Sequence, residues 1–172
     1  AYNVSRFIDY WLKPLACTHE AYIQDTYDFV HKIRDTEIDE EDLLITGDVT
    51  ALYTNMNMDL MLAAVQEAFD EFPNASRPDR EILQLLRITL TRNDFEFNDR
   101  IFLQIRGAAM GKPYSPSLAN LYLKKFDKAA KFDFRIKPKI YFRFLDDIKI
   151  VMKASRQDVA DYQEFLSSII EG

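Results

Sequence analysis

No stretch constrains the fold of this chain more than YFRFLDDIKIVMK, Tyr141 to Lys153. Aromatic and β-branched residues crowd both sides of Leu145-Asp146-Asp147, and so short a gap between two strand-prone runs leaves room only for a reversal of direction. The stretch predicts a strand, a turn carrying two acids, and a second strand. Asp is a favoured turn residue, so the pair is weak evidence of chemistry by itself. A third acid changes the reading. Asp48 ends the apolar run LLITGDV, whose length and composition predict a buried strand, where an ionised carboxylate needs a strong compensating partner. Carboxylates brought together from two strands call for a cation. The hard ion that suits them is Mg²⁺, which takes one or two protein carboxylates and completes its octahedron with water and substrate phosphate. Two such ions side by side stabilise the attacking and leaving oxygens of a phosphoryl displacement.

Elsewhere the spacing is mainly helical. Residues 5–13 place Phe7, Ile8, Trp11 and Leu12 on one face, with Pro14 expected to stop the helix, and residues 20–34 align Ile23, Tyr27, Val30 and Ile33. Residues 59–72 (Met61, Val65, Ala68, Phe69, Phe72) and 79–91 (Ile82, Leu85, Leu86, Leu90) predict two more helices, parted by the turn NASRPD. FEFNDRIFLQI predicts a hairpin turning at Asn98-Asp99. Ser115 reads as the N-cap, and Pro116 as the first residue, of one helix that carries Leu118, Leu121, Tyr122, Phe126 and Ala129 and ends before Pro138. SRQD at 155–158 reads as the capping box of a last helix with Val159, Tyr162, Leu166 and Ile169. With no repeat and no low-complexity tract, this order predicts a single α+β domain over residues 1–172, a small and mostly antiparallel sheet packed against helices.

The net charge of −6 speaks against nucleic-acid binding at face value, because phosphate affinity comes mainly from Lys and Arg. Its distribution is uneven. Residues 1–99 carry 8 basic and 20 acidic side chains, whereas residues 100–153 carry 13 and 4. A basic segment inside an acidic chain marks either a polyanion partner or a solvated basic helix surface, and Lys124, Lys125, Lys128 and Lys131 fit the second description. Cys17 is the single cysteine and His19 and His31 the two histidines, which excludes an internal disulfide and argues against structural zinc. Apolar runs stop well short of the roughly 18 residues of a membrane span, and no signal-like N-terminus is present, so an intracellular protein without a membrane partner is expected.

Three phrases carry a family resemblance. DVTALYTN (48–55), GAAMGKPYSPSLANLYL (107–123) and FRFLDD (142–147) stand in the order of motifs A, B and C of reverse transcriptases. With FLQIRGAAMG, SPSLANLYLKKFD and YNVSRFIDYWLKPL, they look most like the Penelope-like retroelement enzymes, over nearly all of residues 2–152. The resemblance implies a polymerase palm with part of the fingers, and an RNA-directed DNA polymerase that joins a dNTP to a primer 3′-OH by two-metal-ion nucleotidyl transfer. It implies that Asp48 and Asp146 are ligands of Mg²⁺, or of Mn²⁺ as a substitute, and that Asp147 is the second acid of the turn. Tyr53 falls where the family places an aromatic side chain under the sugar of the incoming nucleotide, although a core tyrosine is the alternative. Met110, Gly111 and Pro113 match the motif B loop that lies against the templating base and nucleotide, where a missing side chain at Gly111 allows close backbone approach. Lys112 is a candidate for phosphate or template contact, and Phe144 stands where the family has Tyr. The implied partners are an RNA template, a DNA primer and dNTP, with action in the nucleus if the protein serves a mobile element.

The family's basic fingertip region, thumb and any endonuclease have no counterpart in the 172 residues, so other chains or segments are expected to complete the fingers and thumb. Two further readings stay open. One is a reverse-transcriptase-like domain reused as a structural or binding module of a larger assembly. The other, a two-metal nuclease or cyclase on a similar palm, gives the motif B phrase nothing to do.

Overall fold

The computed structural model describes residues 2–171, and the chain divides into two compact units, each discontinuous in sequence. The first unit takes the chain up to Thr18 together with Ala51–Tyr122. The second takes His19–Thr50 and everything from Leu123 onward.

The first unit is a helical body with one hairpin. Helices α1 (Tyr2–Ala16), α4 (Met58–Glu71), α5 (Asp79–Thr91) and α6 (Ser115–Tyr122) pack around a core of Ile8, Leu12, Met61, Val65, Phe69, Ile82, Leu86 and Leu118. A short α3 (Leu52–Asn55) precedes α4. Pro14 does not stop α1 as expected. It lies in the last turn, where it removes one backbone bond, and the helix completes that turn. The inward stripe of α1 is Ser5, Ile8, Leu12 and Leu15, and Phe7 lies outside it. Asn57 caps α4 by accepting from the Leu60 amide at 3.1 Å. Between α4 and α5 the buried Arg77 donates to the carbonyls of Phe69 and Phe72, each at 2.9 Å, and pairs with Asp79, so one side chain ties the end of one helix to the start of the next. Strands β2 (Asn93–Phe97) and β3 (Arg100–Gln104) form the expected hairpin, with both Asn98 (φ 53°) and Asp99 (φ 58°) at positive φ, the pattern of a type I′ turn.

The second unit carries the main sheet. Strands β1 (Asp42–Asp48), β4 (Ile140–Phe144) and β5 (Asp147–Lys153) run antiparallel in the order β1-β5-β4. The central strand β5 buries Ile148, Ile150 and Met152, which alternate as a sheet face requires. Helices α7 (Lys124–Phe132) and α8 (Arg156–Glu171) add Phe126, Ala130 and Tyr162 to the core. Ser155 and Asp158 cap α8 reciprocally, the hydroxyl accepting from the Asp158 amide at 3.1 Å and the carboxylate from the Ser155 amide at 2.9 Å. Three expectations fail here. The helix expected over 20–34 shrinks to α2 (Thr26–Ile33), with Tyr27 and Val30 exposed. The single helix expected before Pro138 breaks at Leu123 (ψ 0°) into α6 and α7. Strand β1 is not buried. It is a sheet edge whose alternate residues face water, Leu44 being 72% exposed. The α+β class and the small antiparallel sheets agree with the sequence.

Candidate functional site

In the second unit the β1–β5 register sets Asp48 directly opposite Asp147, the last pair of the ladder. Directly opposed residues share a face, so these two acids lie side by side at one end of the sheet. Asp146 occupies the second position of the two-residue turn between β4 and β5, and its carbonyl accepts the Val49 amide at 2.8 Å, which ties the turn to the end of β1. The geometry thus brings all three predicted acids to one sheet end, with Asp147 rather than Asp146 as the cross-strand partner of Asp48. All three are exposed, so the buried environment expected for Asp48 is absent and water solvates it. Lys149 donates to Asp147 Oδ1 at 2.9 Å. Among the described residues no group of three or more His, Cys, Asp or Glu side chains is gathered closely enough to hold a metal. A hard divalent ion asks less than that. Since Mg²⁺ takes one or two protein carboxylates and keeps water or phosphate elsewhere, an exposed cross-strand pair with a third acid beside it suits the ion chemically without forming a closed cage.

The turn that presents these acids is costly. Leu145 has φ 52°, a left-handed value that favours Gly, and Asp146 does not share it. A side chain there costs on the order of 1–2 kcal/mol. Beneath the turn lies a buried polar network that no local sequence pattern announces. Arg143, 1% exposed, donates from Nε to both oxygens of Asp127 at 2.9 and 3.1 Å and from Nη2 to Asp127 Oδ2 at 2.8 Å. Tyr141 donates its hydroxyl to Asp127 Oδ1 at 2.7 Å, and His19 Nε2 lies 3.2 Å from Oδ2. Burial pushes the Asp127 carboxyl up, but hydrogen bonds from His19, Arg143 and Tyr141, with the guanidinium charge, outweigh it and hold the carboxyl below its ordinary value. Burial, then the Asp127 charge, pushes the Tyr141 phenol far up.

The motif B loop belongs to the first unit. The Tyr53 carbonyl accepts the Ala108 amide at 2.6 Å, and a Cβ at Gly107 (φ 75°) would meet that carbonyl oxygen at 2.2 Å. Close backbone approach therefore falls at Gly107 and not, as expected, at Gly111. Gly111 (φ 90°) needs glycine for its backbone conformation alone, since a Cβ there would meet nothing within 4 Å. Met110 is 76% exposed, while Pro113 and the Tyr53 side chain are partly covered. Lys112 donates to the Thr89 carbonyl at 3.0 Å, and burial lowers its pKa, so its ammonium anchors the loop to the end of α5. Ser115 is the first helical residue rather than the N-cap, and its hydroxyl donates to the Ala109 carbonyl at 2.7 Å, bracing the loop from the other side. Phe144, beside the acid turn in the second unit, is 47% exposed.

Among the solved structures that share this fold are telomerases and a viral RNA polymerase. The chain superposes on telomerase from Candida albicans, in complex with a fragment of telomeric RNA, with a TM-score of 0.69 at 16% identity, over 96% of this chain and 31% of that one. Apo telomerase from Candida tropicalis gives 0.68 at 11% identity, over 96% and 32%. The RNA-dependent RNA polymerase of a human picobirnavirus gives 0.62 at 14% identity, over 92% and 30%. The fold is therefore reverse-transcriptase-like, and the chain spans about a third of the length of these neighbours. No protein-family model matches the sequence, and no curated protein matches it. No helix among the described residues is long and apolar enough to cross a membrane.

Proposed function

We propose that the chain is the palm and part of the fingers of an RNA-directed DNA polymerase, nearest in kind to the Penelope-like retroelement enzymes. The observation that carries this reading is the convergence of Asp48, Asp146 and Asp147 at one sheet end, on a fold shared with telomerase and a viral RNA polymerase. Asp48 and Asp146 would hold Mg²⁺, with Mn²⁺ as a substitute, and Asp147 would adjust the charge beside them. Bound there, the ions would activate the primer 3′-OH and neutralise the phosphates of a dNTP. The protein's share is to aim the carboxylates and to shape the nucleotide's surroundings. Tyr53 would lie under the sugar, while Met110, Gly111 and Pro113 would meet the templating base and nucleotide. Lys112 would act on that loop by holding its base to α5 rather than by touching phosphate. Segments or chains beyond this one would complete the fingers and thumb around an RNA template and DNA primer.

A second reading, a reused module without polymerase activity, is favoured by the Lys149–Asp147 pair and by the lack of a closed three-ligand group among the described residues. Metal linkage separates the two. With Mn²⁺ at ten times its dissociation constant, binding to the native state alone adds about 1.4 kcal/mol, which raises Tm by roughly 3–6 °C in a chain of this size. Asp146→Asn should abolish that response and raise the metal-free Tm by removing one of several neighbouring negative charges. Equal melting of the wild-type chain in millimolar Mn²⁺ and in chelator would leave the reused module as the better reading.

A further inference from the structure

The buried network beneath the acid turn has a geometry that stability alone does not account for. Replacing a buried ion pair by apolar residues of similar volume is often neutral or stabilising, so Arg143 and Asp127 are not explained as a source of stability. Their placement is informative. Arg143 is the fourth residue of β4, three before Asp146, and its Nη1 donates to the Leu145 carbonyl at 2.8 Å. That carbonyl belongs to the peptide immediately before Asp146. The peptide immediately after Asp146 is held as well, because its carbonyl accepts the Val49 amide at 2.8 Å. Both peptide planes flanking the Asp146 Cα are thus fixed, one by a guanidinium and one by the end of β1. The guanidinium cannot drift, since two of its nitrogens are engaged by Asp127, which is itself held by Tyr141 and His19. A backbone at positive φ on a leucine persists only where its surroundings over-determine it, and these bonds supply that.

We propose that Arg143, held by Asp127, is a positioning residue that fixes the peptide before Asp146 and so aims the acid turn toward its metal. The proposal rests on the reading of Asp48 and Asp146 as metal ligands. It assigns Arg143 no contact with metal or substrate.

The test uses Arg143→Lys in the 172-residue chain, because a lysine keeps a cation for Asp127 but has no planar fork to reach the Leu145 carbonyl at the same time. Two quantities are read, the Mn²⁺ dissociation constant by electron paramagnetic resonance and hydrogen exchange at the Val49 amide. We expect Mn²⁺ to bind about tenfold more weakly, in the range lost when the supports of metal ligands are removed, and Val49 to exchange severalfold faster. Tyr141→Phe is the control. It removes a hydrogen bond from Asp127 and leaves the bond to Leu145, so it should lower Tm while leaving both readouts near wild type. A folded Arg143→Lys chain with wild-type Mn²⁺ affinity and wild-type Val49 protection would overturn the proposal. Wild-type chain that binds no Mn²⁺, with Val49 still deprotected in the variant, would sink the metal reading and leave the turn clamp standing. If Arg143→Lys does not fold, nitrogen-15 spectra of the wild-type guanidinium decide. Slow rotation about Cζ–Nη1 with protected Nη1 protons supports the clamp, and free rotation with rapid solvent exchange refutes it.

Discussion

The two hairpins of this molecule solve one problem in opposite ways. Both reverse direction over two residues, and both need positive φ. The β2–β3 hairpin assigns those positions to Asn98 and Asp99, whose short polar side chains tolerate the left-handed region. The β4–β5 hairpin assigns its one positive φ to Leu145, which does not tolerate it, and rests on Arg143 and Asp127 underneath. A turn written in its own residues needs little help, whereas the acid-bearing turn draws on Asp127, which is distant in sequence. Strain of this kind persists at functional positions because the surrounding structure maintains it.

The sharpest way to break the contrast is to remove the support. Asp127→Ala strands the Arg143 guanidinium in the core, and leaving one member of a buried pair unpartnered costs about 3–5 kcal/mol, read as a drop in the free energy of urea unfolding. Acid should expose the same dependence. The Asp127 carboxyl is held below its ordinary value in the folded chain, so its contribution is fully present above the unfolded value, near pH 4, and is lost as pH falls through the lower folded value. Unfolding free energy measured from pH 6 down to pH 2 should therefore fall more steeply in wild type than in Asp127→Asn. Equal slopes would remove the carboxylate from the account.

At the other hairpin the sensitivity should be local. Asn98→Val puts a β-branched side chain at φ 53° and should cost about 1–2 kcal/mol. A loss as large as that of Asp127→Ala would mean that the β2–β3 turn also depends on distant support, and the contrast would fail.

The same division separates what the sequence makes legible from what it does not. The Asn98-Asp99 turn, the Ser155–Asp158 capping box and the bounds of α5 follow from rules that act within a few residues, and all three appear in the structure. The three acids were legible because strands end at them. Their exposure was not, because an apolar run looks alike at the centre and at the edge of a sheet, and only the order β1-β5-β4 decides which it is. The break at Leu123 carries no Gly or Pro, so periodicity runs straight through it. Gly107 and Lys112 find their roles against Tyr53 and Thr89, in other elements, and no local pattern points there. Arg143 and Asp127 meet across 16 residues, and in the sequence each looks like an ordinary surface charge.

The smallest expected effect is the most discriminating. Leu145→Gly removes the cost of a side chain at positive φ, on the order of 1–2 kcal/mol, but glycine also gives the unfolded chain more freedom, which takes back roughly 0.5–1 kcal/mol. The net should be a gain of about 0.5 kcal/mol, measured by urea unfolding in chelator. Stability and function should then part. Glycine leaves the Arg143 bond to the residue 145 carbonyl in place but widens the range of directions open to Asp146, so Mn²⁺ should bind more weakly to a chain that is slightly more stable. At the other hairpin Asp99→Gly relieves a smaller strain and should leave Mn²⁺ affinity unchanged, since its turn carries none of the proposed metal ligands. If both glycine variants shift stability alike and neither alters Mn²⁺ binding, Leu145 is an ordinary turn residue and the strain at the acid turn has no functional meaning.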